Sequence, residues 1–240
     1  MKIVIMGGNQ PYFMPYIGYW QLINAVDVFI ISDDYNYING GWINRNRILE
    51  KGSPRYFNIE ICHASSNKKI NELSISAEIF NKDKKLMQLR NVYRRAPYFK
   101  EGYTLLQEIF DYKEYNLADF LENSIKKICY YLEIQTKFVK SSSIPHNCEL
   151  KKEYKIFDQC KYVGADIYIN AIGGQRMYSF DQFRQQGIRL GFIKTNDIKY
   201  KQLWYEFVPN LSIIDVIMFN SKAEIKKMLQ QYTILWDDER

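Results

Sequence analysis

Residues 2–34 read "KIVIMGGNQPYFMPYIGYWQLINAVDVFIISDD" and decide the fold class of this chain. "KIVIM" followed by two glycines predicts a buried strand that enters a tight turn. "IGYWQLINAV" places apolar residues at helical spacing, and "DVFIISDD" predicts a second buried strand that ends in paired aspartates. A strand, a loop, a helix and a second strand in such a short stretch form a βαβ unit, which favours a parallel sheet with a right-handed crossover.

The rest of the chain predicts one α/β body with two additions. Residues 35–61 place turn signals beside short aromatic and β-branched runs, which predicts hairpin structure. Residues 78–135 carry a helical pattern, which predicts an inserted helical cap. Strands and helices then alternate again, and the tail predicts two helices, within 211–220 and 222–232. We therefore predict a single α/β domain over residues 1–240, with a Rossmann-like, mostly parallel sheet, an inserted helical subdomain and a β-hairpin.

Composition limits the class of protein and of partner. The chain has 240 residues, is 47% apolar and carries a net charge of +6, so it can bury a core and attract anionic partners. Because its lysines are scattered, we do not predict nucleic-acid binding. The 20 tyrosines suit the walls of a polar cleft or an interface. The four cysteines form no CxxC pair and no apolar run approaches a membrane span, so we expect a cytoplasmic protein.

Candidate site residues follow the ends of the predicted parallel strands, where open sheets bind their ligands. Four polar or glycine-rich segments occupy such ends, namely 7–18, 32–37, 140–147 and 170–178. In the first, Gly7 and Gly8 are expected to permit positive φ and a close backbone approach, and the Gln10 amide can donate and accept hydrogen bonds. The segment matches neither GxGxxG nor the P-loop pattern. It predicts the floor of a site, and a proline-stiffened turn is the alternative.

Few titratable residues elsewhere carry a chemical signal. Asp33 and Asp34 close the second strand, and Asp34 is a candidate base or amine ligand; a turn cap is the alternative. His63 and His146 lack the spacing of a metal pair, so no metal site is predicted. Cys148 lies two residues from His146, but nothing in the local sequence supports a cysteine nucleophile.

The segment "WINRNRI" (42–48) is the most concentrated group of polar side chains. In an extended chain, Asn44 and Asn46 share one face, while Arg45 and Arg47 share the other. Arginine is the usual side chain for bidentate recognition of phosphate or carboxylate. This segment therefore predicts an anion-binding hairpin, with surface salt bridges as the alternative.

Together these motifs resemble the WbqC-like family, which is found in bacterial surface-polysaccharide gene clusters. The segments that carry the resemblance are "QPYFMPYIGYWQLI" (10–23), "WINRNRI" (42–48), "YRRAPYF" (93–99), "GADIYIN" (164–170), "KYKQLWYEFVP" (199–209) and "LSIIDVIMFN" (211–220). The chain departs from the family at Asn9, where members often have histidine, and in the displaced glycines Gly173 and Gly174. The resemblance implies a role in O-antigen or related glycan production, by transfer of glycine or a similar acyl group.

The implied reaction is acyl or aminoacyl transfer to an amino sugar or sugar nucleotide. Because no serine elbow or reactive cysteine motif is visible, we expect direct attack by the amine on an activated donor, with an acyl carrier protein as one source of donor and without cofactor or metal. The candidate catalytic residues are Asp34, for the amine, and Gln10, for the carbonyl oxygen. The candidate substrate-binding residues are Gly8, Asn9, Tyr12, Tyr19, Asn44, Arg45, Asn46 and Gln202, with Arg45 on a phosphate or carboxylate.

This hypothesis has one geometric requirement: the 7–18 turn and the arginine-bearing hairpin must face each other across a shared hollow at the rim of the sheet. Two other functions stay open. One is a nucleotidyltransferase-like enzyme, and the other is a non-catalytic subunit that binds a sugar nucleotide or a carrier protein.

Overall fold

The computed structural model describes residues 2–203 and 206–237, and within them it contains a six-stranded sheet and a separate two-stranded hairpin. The strands are β1 (Ile5–Asn9), β2 (Val28–Ile31), β3 (Arg45–Glu50), β4 (Ser53–Asn58), β5 (Lys137–Lys140), β6 (Ile167–Ala171), β7 (Arg189–Thr195) and β8 (Tyr232–Trp236). The main sheet has the order β5-β2-β1-β6-β7-β8, and only its β7–β8 pair is antiparallel. The predicted fold class, with a mostly parallel sheet and a hairpin, is confirmed.

Helices cover both faces of the sheet, as the continuous burial of strands such as β2 and β7 requires. In chain order they are α1 (Ile17–Asn24), α2 (Lys82–Tyr93), α3 (Phe99–Phe110), α4 (Leu117–Leu132), α5 (Lys152–Val163), α6 (Phe180–Gln185), α7 (Ile213–Phe219) and α8 (Lys222–Met228). One face packs against α1 and the helices around it, and Trp20 and Ile169 belong to that core. The opposite face packs Met6 and Tyr168 against Phe183 of α6.

Of the two properties predicted for the glycines of the first strand, the close approach of neighbouring segments is observed and the positive φ is not. The sequence placed Gly7 and Gly8 in a turn with positive φ, but both lie inside β1, and neither has a positive φ. A Cβ at Gly8 would lie 3.1 Å from the carbonyl oxygen of Ile30, and one at Gly7 would lie 3.1 Å from Val26. These glycines therefore let β2 and α1 approach β1 closely, and the turn begins only after Asn9.

The hairpin β3–β4 lies apart from the main sheet but shares its core. Lys51 and Gly52 connect the two strands, both with positive φ. Phe57 of β4 is buried, and its ring stacks against Phe13 of the first crossover at a centroid distance of 5.7 Å. This contact fixes the hairpin against the turn that follows β1.

The region predicted as a helical cap contains α2, α3 and α4. The first of these begins at Lys82, four residues later than the predicted start at Glu78, because the Asn81 side chain accepts a hydrogen bond from the Lys84 backbone and caps the helix there. The buried faces of these helices join the same core as α1 and α7.

The tail contains the two predicted helices, α7 and α8, and one strand that the sequence analysis missed. That strand, β8, pairs with β7, and its Trp236 packs over Gly191, where an added Cβ would lie 2.6 Å from the indole. Trp204 and Tyr205, within the motif 199–209, lie outside the described residues, as do Met1 and residues 238–240. In the described part of the chain, no helix is both long and apolar enough to cross a membrane.

Candidate functional site

The turn after β1 docks directly on the chain that leads into β3. The backbone N–H of Phe13 donates to the carbonyl oxygens of Trp42, at 3.2 Å, and Ile43, at 3.1 Å. The side-chain amide of Asn46 donates back to the carbonyl oxygen of Phe13 at 3.3 Å, and Asn46 is buried. The turn and the hairpin therefore face each other, as the sequence-based hypothesis required.

The beginning of α7 closes the third side of this junction. The Ser212 hydroxyl donates to the carbonyl oxygen of Met14 at 2.7 Å, and its backbone N–H donates to the carbonyl oxygen of Arg47 at 2.8 Å. The N–H of Ile213 donates to the carbonyl oxygen of Pro15 at 3.0 Å. Three distant segments are thus held together through backbone groups, which makes the space between them rigid.

Between these segments lies a solvent-accessible cavity of about 300 Å³, which we call the Arg47 hollow. It is lined by Tyr12, Pro15, Tyr16, Trp42, Asn46, Arg47 and Asn210. Of these lining residues, Arg47 is the one that carries a charge. A second cavity of about 330 Å³ shares Asn210 with it and contains Thr195, Asn196 and Asp197 at the carboxyl end of β7.

Arg47 presents hydrogen-bond donors that the described residues do not fully use. One terminal nitrogen donates to the carbonyl oxygen of Asn210 at 3.2 Å, and the guanidinium lies 5.8 Å from the Trp42 ring centroid. Its Nε is buried and has no hydrogen-bond partner among the described residues. A buried donor without a partner destabilises a protein by about 1–3 kcal/mol, and more when the group is charged. A guanidinium has five N–H donors, and the one hydrogen bond described above engages a single terminal nitrogen, so Arg47 has further donors for an anion in the hollow.

The two tyrosines of the hollow are neutral donors at ordinary pH. Burial raises the pKa of the Tyr12 hydroxyl, and the nearby Tyr16 hydroxyl raises it further. Burial also raises the pKa of Tyr16, and its side-chain hydrogen bond with Thr195 opposes that shift. The hollow therefore combines one cation with neutral polar groups, a combination that favours an anionic ligand.

Arg45, which the sequence analysis predicted to bind a phosphate or carboxylate, does not line the hollow. Its Nε donates to the carbonyl oxygen of Gly41 at 3.1 Å, a terminal nitrogen donates to that of Gly40, and its guanidinium lies 4.2 Å from the Tyr56 ring centroid. Asn44 accepts from the Tyr37 hydroxyl at 2.8 Å and donates to the carbonyl oxygen of Ile59 at 2.9 Å. Both side chains hold loops together, and of the predicted Asn-Arg-Asn group only Asn46 lines the hollow.

The predicted catalytic residue Asp34 lies in a buried polar cluster at the carboxyl end of the sheet. Its carboxylate pairs with the Lys155 ammonium at 2.5 Å and accepts a hydrogen bond from the Ser141 hydroxyl. The side chains of Asp34 and Lys155 are only 2% and 6% exposed. The Asp33 carboxylate accepts from the Ser142 backbone N–H and hydroxyl at 3.0 and 2.6 Å. Both aspartates thus fix the turn after β5.

The remaining predicted residues of the first crossover stabilise its backbone. The Asn9 side chain accepts from the Gln10 N–H at 2.8 Å, and the Gln10 amide donates to the carbonyl oxygen of Asn36 at 3.2 Å. Tyr19 is buried, its hydroxyl donates to the carbonyl oxygen of Gln10 at 3.0 Å, and its ring lies 5.7 Å from that of Tyr12. Of these residues, Tyr12 alone belongs to the lining of the hollow.

Gln202 joins a buried carboxylate that the sequence analysis missed. Its amide donates to the carbonyl oxygen of Val208 at 3.0 Å and to Asp215 Oδ1 at 3.2 Å. The hydroxyls of Tyr93 and Tyr200 donate to the same carboxylate at 3.1 and 2.8 Å. Burial raises the pKa of Asp215 to about 6, against the lowering effect of these three donors. The sequence feature that could have indicated this buried carboxylate is the single acidic residue inside the apolar run "LSIIDVIMFN".

The histidines and cysteines do not form a reactive group in the described chain. His146 Nδ1 lies 3.3 Å from a Glu149 carboxylate oxygen on the surface, and His63 adopts a positive φ. All four cysteines are free thiols, and burial raises the pKa of Cys129 and Cys160. Within residues 2–203 and 206–237, no group of three or more His, Cys, Asp or Glu side chains could hold a metal ion.

A protein-family model matches the part of the chain that forms the hollow. The model of the WbqC-like protein family matches residues 10–227, a span that contains the turn, the hairpin and the beginning of α7. A protein of Mycobacterium tuberculosis (strain ATCC 25618 / H37Rv), described as uncharacterized protein Rv1507c, is 28% identical over 232 residues. The match covers 95% of this chain and 97% of that protein.

Proposed function

This chain belongs to the WbqC-like protein family, and we propose that it acylates the amine of an anionic amino-sugar substrate held in the Arg47 hollow. The group transferred is an acyl or aminoacyl group such as glycine, taken from an activated donor. The product serves bacterial surface-polysaccharide production, as in O-antigen synthesis. The observation that carries the proposal is the position of the Arg47 guanidinium in the lining of the hollow, where it is the one charged group and makes one hydrogen bond, to Asn210, among the described residues.

The charge of the hollow supports an anionic group on its substrate. Arg47 supplies a guanidinium whose fork geometry matches a phosphate or a carboxylate. The Asn46 and Asn210 residues and the Tyr12 and Tyr16 hydroxyls surround it with neutral hydrogen-bonding groups suited to sugar hydroxyls. Arg47 thus takes the role that sequence reasoning gave to Arg45, whose donors are engaged by the Gly40–Gly41 turn.

The rigidity of the hollow supports transfer rather than loose binding. Direct aminolysis requires an amine aligned with the donor carbonyl, hydrogen-bond donors at the developing oxyanion and a base for the ammonium proton. The neutral hydroxyls of Tyr12 and Tyr16 are available as oxyanion donors. The amine attacks the carbonyl carbon, the bond from that carbon to the leaving group breaks, and the leaving group departs with the electron pair.

The base in this proposal is a carboxylate, and two are candidates. Asp34, the sequence-based choice, would first have to leave its ion pair with Lys155. Asp197 lines the neighbouring cavity that shares Asn210 with the hollow, and its side chain is 83% exposed. Because an exposed carboxylate can accept a proton without breaking a buried pair, we assign the proton to Asp197 and a structural role to Asp34.

The binding step is tested by replacing Arg47 with methionine, which keeps the apolar stem and removes the donors. The probe is glucosamine 1-phosphate, and its affinity is measured by isothermal titration calorimetry. We expect Arg47→Met to weaken binding at least tenfold while thermal stability stays close to wild type, since the hydrogen bond that is lost, to the Asn210 carbonyl oxygen, is exposed. Arg55, exposed on β4 of the same hairpin, is the matched control, and Arg55→Met is expected to bind as wild type does. Equal affinity of both variants would remove Arg47 from the site.

The transfer step is tested by mass spectrometry of amino-sugar phosphates and nucleotides incubated with a glycyl or acetyl thioester. A mass gain equal to the acyl group, lost in Arg47→Met, supports acyl transfer. Binding of the sugar probe without any mass gain from a panel of donors identifies a non-catalytic binding subunit instead. Release of pyrophosphate from a nucleoside triphosphate identifies nucleotidyl transfer.

A further inference from the structure

Two exposed aromatic rings lie beside each other, and one of them, Trp42, lines the Arg47 hollow. Trp42 precedes β3 and Tyr56 lies on β4, and their ring centroids are 6.3 Å apart with planes inclined by 43°. Trp42 is 40% exposed and Tyr56 is 53% exposed. We call this pair the Trp42–Tyr56 platform.

The platform is flanked by a guanidinium at each end. The Arg45 guanidinium lies 4.2 Å from the Tyr56 centroid, and that of Arg47 lies 5.8 Å from the Trp42 centroid. A guanidinium over a ring face is attracted by the negative charge of that face. These contacts hold both rings in place while leaving much of their surface open to solvent.

Trp42 connects the platform to the hollow. Its side chain lines the hollow together with Arg47, so a group that pairs with the Arg47 guanidinium lies beside the indole. A planar group attached to that anion could then extend across the exposed faces of Trp42 and Tyr56. The hollow alone, at about 300 Å³, is at the lower limit of small-molecule pockets. It accommodates a sugar and a phosphate more readily than a whole nucleotide sugar.

We propose that the ligand of this site is a nucleotide-activated sugar whose base stacks on the Trp42–Tyr56 platform while its diphosphate pairs with Arg47. The inference rests on the proposed anion-binding role of the hollow and names the substrate class for it. A nucleobase fits the platform because it is planar and presents a π-face, and stacking on aromatic side chains is tolerant of base identity. This role also accounts for the exposure of both rings, because a surface on which a base stacks must be open to solvent before the base binds.

The experiment compares inorganic pyrophosphate with UDP, CDP, ADP and GDP, using the full-length chain and isothermal titration calorimetry at fixed ionic strength. Pyrophosphate measures the anion site alone, and each nucleotide adds a base. We expect at least one nucleotide to bind wild type about tenfold or more tightly than pyrophosphate, the gain that base stacking on an aromatic residue typically gives.

Replacement of the platform residues should remove that gain selectively. Tyr56→Leu, outside the lining of the hollow, is expected to lower nucleotide affinity toward that of pyrophosphate while its pyrophosphate affinity changes by less than about threefold. Trp42→Leu, which also alters the wall of the hollow, is expected to lower nucleotide affinity at least as much. Both rings are substantially exposed, so both variants should fold. The hydrogen bond from the Phe13 N–H to the Trp42 carbonyl oxygen involves backbone groups only and is kept in Trp42→Leu. Tyr162, 56% exposed on α5, is the matched control, and Tyr162→Leu should behave as wild type.

The outcomes separate this inference from the proposed function. If pyrophosphate binds through Arg47 but no nucleotide binds more tightly, the platform is not a base site and the anion site stands. The same conclusion follows if nucleotides bind more tightly but Trp42→Leu and Tyr56→Leu keep the full gain. If neither pyrophosphate nor any nucleotide shows Arg47-dependent binding, both proposals are overturned.

Discussion

Replacing Asp215 with asparagine should remove a pH-dependent component of stability between about pH 4 and pH 6. Asp215 lies in the first turn of α7 with no exposed surface, and its carboxylate accepts hydrogen bonds from Tyr93, Tyr200 and Gln202. Burial is the dominant influence, and it raises the pKa from 3.8 in the unfolded chain to about 6 in the folded one. The charged form is therefore less favourable in the folded state than in water.

The sign and size of the effect follow from proton linkage. Between pH 3.8 and pH 6 the unfolded chain has released the Asp215 proton while the folded chain keeps it. The folded state then binds more protons, so the free energy of unfolding falls as pH rises through this window. One pKa unit corresponds to about 1.4 kcal/mol, so the shift corresponds to about 3 kcal/mol of the free energy of unfolding. This contribution is present below pH 4 and lost above pH 6.

The assay is urea denaturation at intervals from pH 3.5 to pH 7.5 for wild type and Asp215→Asn. Because all other carboxyl groups titrate in both proteins, the difference between the two curves isolates Asp215. Wild type should lose about 3 kcal/mol relative to the variant as pH rises from 4 to above 6. Asp181→Asn, at an exposed position in α6, should give a curve parallel to wild type. Parallel curves for wild type and Asp215→Asn would refute the assignment of a raised pKa to this carboxyl.

Two other substitutions test the roles given to predicted site residues. Arg45→Met should lower the free energy of unfolding by about 1–3 kcal/mol, because it removes hydrogen bonds to the 40–41 turn. Its affinity for glucosamine 1-phosphate should stay within about threefold of wild type. A tenfold loss of that affinity at unchanged stability would show that Arg45 belongs to the site. Lys155→Met should destabilise by about 3–5 kcal/mol by leaving the Asp34 charge buried and unpaired, and Asp34→Asn added to it should recover most of that loss in urea denaturation. If Lys155→Met alone were as stable as wild type, the buried Asp34–Lys155 pair would contribute nothing to the free energy of unfolding.

The sequence specified the architecture where hydrophobic periodicity was strong. The first βαβ unit was recognisable because apolar runs of strand and helix period follow each other within residues 2–34. The strand β8 was missed because its few residues follow a helix directly and carry no separate turn signal. Its formation depends on pairing with β7 and on the space that Gly191 leaves for Trp236, which are tertiary contacts.

The candidate site shows the same limit at the level of single side chains. The alternation of an extended strand correctly separates Asn46 from its arginine neighbours, but it cannot distinguish Arg45 from Arg47, which lie two residues apart on one face. What distinguishes them is the surroundings of each guanidinium. One is engaged by nearby carbonyl oxygens of the same loop, and the other reaches Asn210 from a distant part of the chain. Similarly, no local pattern indicated that Asp34 pairs with Lys155, which lies 121 residues further along the chain.

The arrangement explains why the Asn-Arg-Asn segment is a strong sequence signal although only one of its residues lines the hollow. Asn44 connects the chain before β3 to Tyr37 and to Ile59 beyond β4, and Arg45 holds the preceding turn. Asn46 bonds to the crossover through its side-chain amide, and its oxygen accepts the backbone N–H of Arg47 at 2.9 Å. These contacts fix the backbone on both sides of Arg47, and the Ser212 bond to the Arg47 carbonyl fixes it from α7. With its backbone fixed and its guanidinium bonded to Asn210, Arg47 gives up less conformational freedom when an anion binds, so more of the binding energy of the anion is available for affinity and alignment.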